Sequence, residues 1–162
     1  MPQPCPVPKG ALLQPYVDRA EAYTDCFSEV LPGNITLAAF VSAFYTTWLF
    51  RLERAVLTLS QRRRIRDAEV AALARGEAER FAVWRVEARS DNQILLCDIS
   101  GHTRSFLAVA AEEGGATRLL FGSAVVGDAA GEFPFWVNVL MPFHRVYSKA
   151  LLYLAATRLR RG

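Results

Sequence analysis

The chain has 162 residues, enough for one domain with one sizeable core. Its 52% hydrophobic and 22% charged residues exclude a disordered chain, and a net charge of +3 is too small to argue for a nucleic-acid partner. Cys5, Cys26 and Cys97 are too few and too scattered for a disulfide framework or a zinc site; no CxxC pair exists, and Cys26 and Cys97 read as inert core thiols.

Residues 1–20 are expected to be an extended, Pro-rich arm, loosely attached, and residues 21–162 a single domain. The first 22 residues hold five prolines and no apolar run. No signal peptide is therefore expected, and the expected location is the cytoplasm. Outside a secretory route the sequon Asn34-Ile35-Thr36 would go unused. A strand is expected over Tyr23–Val30. Val30 to Phe50 carries no charge, but the turn signal Pro32-Gly33-Asn34 leaves about 16 residues, short of the roughly 20 that cross a bilayer. A core helix, and no integral membrane segment, is the expectation.

That helix runs from about Ile35 to Leu59 on the 3.6-residue period, with Leu37, Phe40, Val41, Phe44, Trp48, Leu52, Ala55 and Leu59 along one stripe. Weak helix formers at Tyr45-Thr46-Thr47 allow a break into two helices there. Gln61 to Arg66 is a basic connector. Asp67 then caps a short helix over Ala68–Arg75, which Gly76 stops.

Four strand-like runs follow, Glu79–Arg89, Gln93–Ser100, Arg104–Glu112 and Thr117–Val126, separated by hairpin connections. They predict an antiparallel meander. Side-chain parity assigns one face to Ala82, Trp84, Val86 and Ala88, with Leu95, Cys97 and Ile99, then Ser105, Leu107 and Val109, then Leu119, Phe121, Ser123 and Val125. The last segment is an amphipathic helix expected to lie across that face. Trp136, Val139, Leu140, Phe143, Tyr147, Ala150, Leu151 and Leu154 form its stripe, which passes straight through Pro142. A kink at Met141–Pro142 is predicted, with the Asn138 carbonyl left free; Pro142 as first helical residue is the alternative.

This order, strand, helix pair, meander and long C-terminal helix, resembles the helix-grip fold of START-like (SRPBCC) proteins. The stretches "AFYTTWLFRLERAVLTL", "ILLCDISGHTRSFLAVAAE" and "LMPFHRVYSKALL" resemble more narrowly an uncharacterised bacterial domain-of-unknown-function family close to that superfamily, over roughly residues 20–160. The resemblance implies an α+β fold: an antiparallel sheet, two or three short helices, and a long, kinked C-terminal helix on the inner face. It implies little about activity.

Candidate chemistry is sparse. His144 and Arg145 follow the kink and suit an anion contact or an acid/base histidine, or else a histidine that satisfies the free carbonyl. Asp98, His102 and Arg104 read as a solvated turn. No Ser-His-acid arrangement can be assembled from spacing, no carboxylate pair is expected on the inner face, and no metal-ligand spacing exists, so neither metal nor other cofactor is expected. Arg62-Arg63-Arg64 with Arg66, and Arg158, Arg160 and Arg161, suit phosphate or an anionic membrane surface, or a solvated connector and helix end.

The inner face is the most informative feature. Trp84, Cys97, Ser105, Leu107, Phe121, Ser123, Phe143, His144 and Tyr147 are the candidate ligand-binding residues, bulky walls with a few polar handles. The expected function is non-catalytic binding of a small apolar or amphipathic molecule between sheet and C-terminal helix. One alternative is a cyclase- or hydratase-like enzyme with His144 or Tyr147 handling the proton. Another is a cavity-less interaction module acting through its basic surface or as a homodimer.

Overall fold

The structure, a computed structural model, describes residues 1–50, 67–127 and 135–161, with the backbone alone from 135 to 142. In chain order the elements are β1 (Gln3–Pro4), α1 (Gln14–Val17), β2 (Ala22–Pro32), α2 (Leu37–Tyr45), α3 (Asp67–Arg75), β3 (Arg80–Phe81), β4 (Trp84–Arg89), β5 (Gln93–Asp98), β6 (Thr103–Glu112), β7 (Ala116–Val126) and α4 (Phe135–Arg161). The strands form one seven-stranded antiparallel sheet in the order β1-β2-β7-β6-β5-β4-β3. The expected meander is present, and β2 pairs along its whole length with the last meander strand. The basic connector with Arg62 to Arg66, and the Leu52 to Leu59 part of the expected helix, lie outside the described residues.

Local chemistry explains the helix limits. The Thr36 hydroxyl accepts the Ala39 N–H at 3.2 Å and starts α2. At the other end the Thr46 and Thr47 hydroxyls donate to the Ser42 and Phe44 carbonyls at 2.6 and 3.0 Å. These bonds compete with the helical ladder. The helix breaks there, as its weak formers suggested, and is helical again at 48–50. Trp48 lies past the break and is exposed, off the expected stripe. In α3, Gly76 takes φ +76°. Its N–H donates to the Leu73 carbonyl at 3.0 Å and that of Glu77 to the Ala72 carbonyl at 2.9 Å, a Schellman ending.

Arg89 completes this ending by donating to the Leu73 and Ala74 carbonyls, both at 2.7 Å. Strict alternation from the inward Val86 and Ala88 predicts Arg89 on the outer face. A bulge between Val86 and Ala88 reverses the alternation, so Arg89 turns toward the helices while Ala88 packs on the opposite side. Replacing Arg89 with methionine keeps the stem but removes both charge-assisted bonds. The expected cost is about 1–3 kcal/mol, read from urea unfolding. A change below roughly 0.5 kcal/mol would mean that water replaces the guanidinium fully.

Two cores flank the sheet. On the inner face Phe27, Leu31, Ile94, Leu96, Leu107, Leu119 and Phe121 pack under α2, α3 and α4. Phe44 sits at its centre, with ring centroids 4.6 Å from Phe121 and 5.1 Å from Tyr45. On the outer face Cys26, Leu95, Phe106, Ala108, Leu120 and Ala124 pack under Ala11, Leu13 and Tyr16 of the arm.

The arm is thus part of the fold, not a loose lead-in. Its strand β1 pairs with β2, and Leu13 is fully buried. Gly122 makes room for it. A Cβ at that position would stand 2.7 Å from the Leu13 side chain and 3.0 Å from the Asp25 carbonyl oxygen. The Tyr16 hydroxyl donates to Glu87, and the Arg104 guanidinium donates to the Tyr16 hydroxyl at 3.0 Å and to Glu87 at 3.2 Å. Arg104 therefore lies on the outer face, covered by the arm, and is not part of the solvated turn expected for it.

With both faces covered, β5 is apolar on both. Ile94 and Leu96 face the helices, while Leu95 faces the arm and Cys97 shares its parity. This reverses the expected assignment of Leu95 and Cys97. The expected parity follows if Asp98 is a solvent-side residue of the strand. Instead it sits at the strand end and accepts the Thr103 N–H at 2.9 Å, which is turn chemistry and says nothing of a face. Ile99, also expected inside, lies in that turn and is exposed.

Helix α4 is continuous through Pro142 and does not begin there. Its buried residues from position 143 onward are Ser148, Leu151, Leu152, Ala155 and Ala156, with His144, Tyr147 and Leu159 partly buried beside them. Phe143, expected inside, is 68% exposed. The expected stripe followed the largest side chains. The observed one is turned by a residue because Ser148, Ala155 and Ala156 let the helix approach β2 closely. Arg160 donates to Glu29 at 2.5 Å and ties the end of α4 to the same strand.

Candidate functional site

Strand β2 reads Tyr23, Asp25, Phe27, Glu29, Leu31 along its inner face. Phe27 and Leu31 belong to the inner core, so two carboxylates share that face with them. Glu29 is paired with Arg160 through its Oε1. Asp25 meets a serine and a histidine instead.

The register lines up Leu96, Ser105, Ser123 and Asp25 across β5, β6, β7 and β2. At this end of the sheet the inner face becomes polar. Ser105 is already engaged, with its hydroxyl 2.9 Å from that of the buried Tyr45. Ser123 donates to the Asp25 Oδ1 at 2.5 Å, and the His144 Nε2 of α4 lies 2.7 Å from the same hydroxyl oxygen. The distance from His144 Nε2 to Asp25 Oδ2 is 3.7 Å.

Proton counting fixes the roles. A serine hydroxyl has one hydrogen. Given to the buried carboxylate, it leaves the hydroxyl oxygen as acceptor, so His144 carries its proton on Nε2 and donates to Ser123. The reverse arrangement would take from the buried Asp25 Oδ1 its serine donor, which burial makes costly. The order is therefore His to Ser to Asp. That is unlike a nucleophilic triad, in which serine donates to a histidine whose other nitrogen is held by the acid. Ser123 is also buried in mid-strand and is not presented as a nucleophile.

The Asp25 side chain is 6% exposed, yet its Oδ2 has no hydrogen-bond partner among the described residues. Tyr23 stands beside it. Burial raises the phenol's pKa first, the Asp25 charge raises it further, Arg145 lowers it, and hydrogen bonding to the Asp25 carboxylate raises it again. Three other buried polar atoms of the inner layer also lack a partner among the described residues, the Glu29 Oε2 on β2, the Trp84 Nε1 on β4 and the Ser148 Oγ one helical turn beyond His144. Native proteins rarely leave such atoms unpaired.

Of the sequence candidates, Trp84, Ser105, Leu107, Phe121 and Ser123 lie on the inner face, with His144 and Tyr147 facing it from α4. Cys97 lies on the opposite face and Phe143 points to solvent, so neither joins the site. Asp25 was missed, and so was the inner-face carboxylate pair that it makes with Glu29. The signal was the shared parity of Asp25 with Phe27 and Leu31.

Two features elsewhere compete poorly. His102 Nδ1 lies 3.1 Å from the Val126 carbonyl oxygen, a turn contact. A groove of about 350 Å³ between α2, α3 and the end of α4 is lined by Ala39, Ala43, Ala71 and Arg158, and contains no buried polar atom lacking a partner. Among the described residues no group of His, Cys, Asp and Glu is placed to hold a metal ion, and no helix is long and apolar enough to cross a membrane. Comparison with family models, with curated proteins and with solved structures finds no match.

Proposed function

We propose that this chain is a START-like, helix-grip binding module that holds a small amphipathic molecule between sheet and α4, its polar end at Asp25, Ser123 and His144. The order of elements supports the fold reading. The first long strand pairs with the last meander strand, the short helices fall between them, and α4 docks along β2. Pro142 supports the kink, since it has no N–H for the Asn138 carbonyl.

One observation carries the functional reading, the buried Asp25 carboxylate with an unpartnered Oδ2. An oxygen in that position is stabilised by any ligand N–H or O–H that reaches it, and a charge-assisted bond contributes about 1.5–3 kcal/mol. The ligand is therefore a hydrogen-bond donor at one end and apolar at the other. A second reading, a hydratase- or cyclase-like enzyme, draws support from the 3.7 Å approach of His144 to Asp25, which gives a histidine able to move a proton a negative neighbour.

Native mass spectrometry of gently purified protein tests the binding reading. The wild type is expected to retain a small molecule. Asp25→Asn keeps an acceptor for Ser123 but loses the charge, and its retention should fall by about 10- to 100-fold. Equal retention by the two proteins, or no retained molecule in either, would count against it.

A further inference from the structure

We propose that Cys5 and Cys26 close a reversible disulfide that clasps the N-terminal arm to the sheet, making the outer face responsive to oxidation. The pairing of β1 with β2 sets Gln3 opposite Ser28 and Pro4 opposite Phe27, so the next pair is Cys5 and Cys26. The ladder continues to that pair, because the Cys5 N–H donates to the Cys26 carbonyl at 3.0 Å. Residues opposed at a hydrogen-bonded position of an antiparallel pair have Cα atoms about 5.5 Å apart, within the roughly 4.4–6.8 Å range of disulfides. Directly opposed side chains point to the same face, and both residues pack in the outer core.

Burial raises the Cys26 thiol's pKa, and the proximity of Cys5 raises it further. Cys26 is thus a poor first nucleophile, while Cys5 is only partly buried. The sequence of steps follows. The Cys5 thiolate attacks a sulfur of a low-molecular-weight disulfide, expelling one thiol and forming a mixed disulfide. The Cys26 thiolate then attacks the Cys5 sulfur and expels the second thiol. Two protein thiols and one small disulfide become one protein disulfide and two small thiols, so atoms and electrons balance. Transient opening of the arm admits the oxidant.

The test treats the full-length folded protein with oxidised glutathione and counts thiols. Wild type and Cys97→Ser are each expected to lose two free thiols, to become about 2 Da lighter, and to yield a linked Cys5–Cys26 peptide that dithiothreitol reverses. Cys5→Ser should not form the bridge. Trypsin cleavage at Lys9 and Arg19 should slow by about tenfold or more in the oxidised wild type and stay unchanged in treated Cys5→Ser. Glutathione left on Cys5 without closure, a bridge that includes Cys97, or no loss of thiols would each overturn the proposal.

Discussion

Replacing Leu13 with alanine is expected to destabilise the whole domain by about 2–5 kcal/mol, the range for a fully buried leucine. Leu13 belongs to a proline-rich arm that looks dispensable, yet it is completely buried and lies against Gly122 in mid-sheet. Removing its isobutyl group leaves a cavity over Gly122 and Phe106, and a backbone held by β1, Tyr16 and Arg104 cannot collapse freely into it. Urea unfolding followed by tryptophan fluorescence and by circular dichroism should give one coincident transition at a lower midpoint. A shift worth less than about 1 kcal/mol would mean that the arm contributes little to the fold.

Phe44→Ala is expected to cost about 3–5 kcal/mol. Phe44 is nearly fully buried, and its ring meets those of Phe40, Tyr45, Phe50 and Phe121. Edge-to-face aromatic pairs add roughly 0.5–1.5 kcal/mol beyond area burial. This residue joins α2 to β7, so its loss should loosen the helix layer from the sheet. Thermal unfolding of the variant checks this, and a melting temperature within about 3 °C of the wild type would contradict the central place given to Phe44.

The meander, the break after Tyr45, the stop at Gly76 and the inner-face positions of Ser105, Leu107, Phe121 and Ser123 were all legible in the sequence. Each rests on local rules, either turn residues or strict alternation. What failed was whatever depended on a second layer. Alternation identifies a buried face only when the other face is wet, and the arm removes that condition, so β5 could not be oriented from Asp98. The bulge at Glu87 inserts one residue without any composition signal, and it turned Arg89 and Ala88 over. The α4 stripe misplaced Phe143 because close packing there uses serine and alanine, which a search for large apolar residues passes over. Asp25 hid for a related reason. A carboxylate on an apolar strand face is ordinarily assigned to solvent, and only its parity with Phe27 and Leu31 says otherwise.

The pairing of Ser123 with His144 and Asp25 depends on contacts between residues nearly a hundred positions apart in β2 and β7, and on the rotation of α4. Neither is a property of any local pattern. Spacing alone therefore could not assemble the site, although two of its three members had been singled out.

A crystal structure of protein purified without dialysis, with density examined at Asp25 Oδ2, tests the central claim most directly. The account predicts a bound molecule with a nitrogen or oxygen atom within about 3.2 Å of that oxygen and an apolar portion running between the sheet and α4. A rotated His144 bonded directly to Oδ2, with side chains filling the space above it, would contradict the claim.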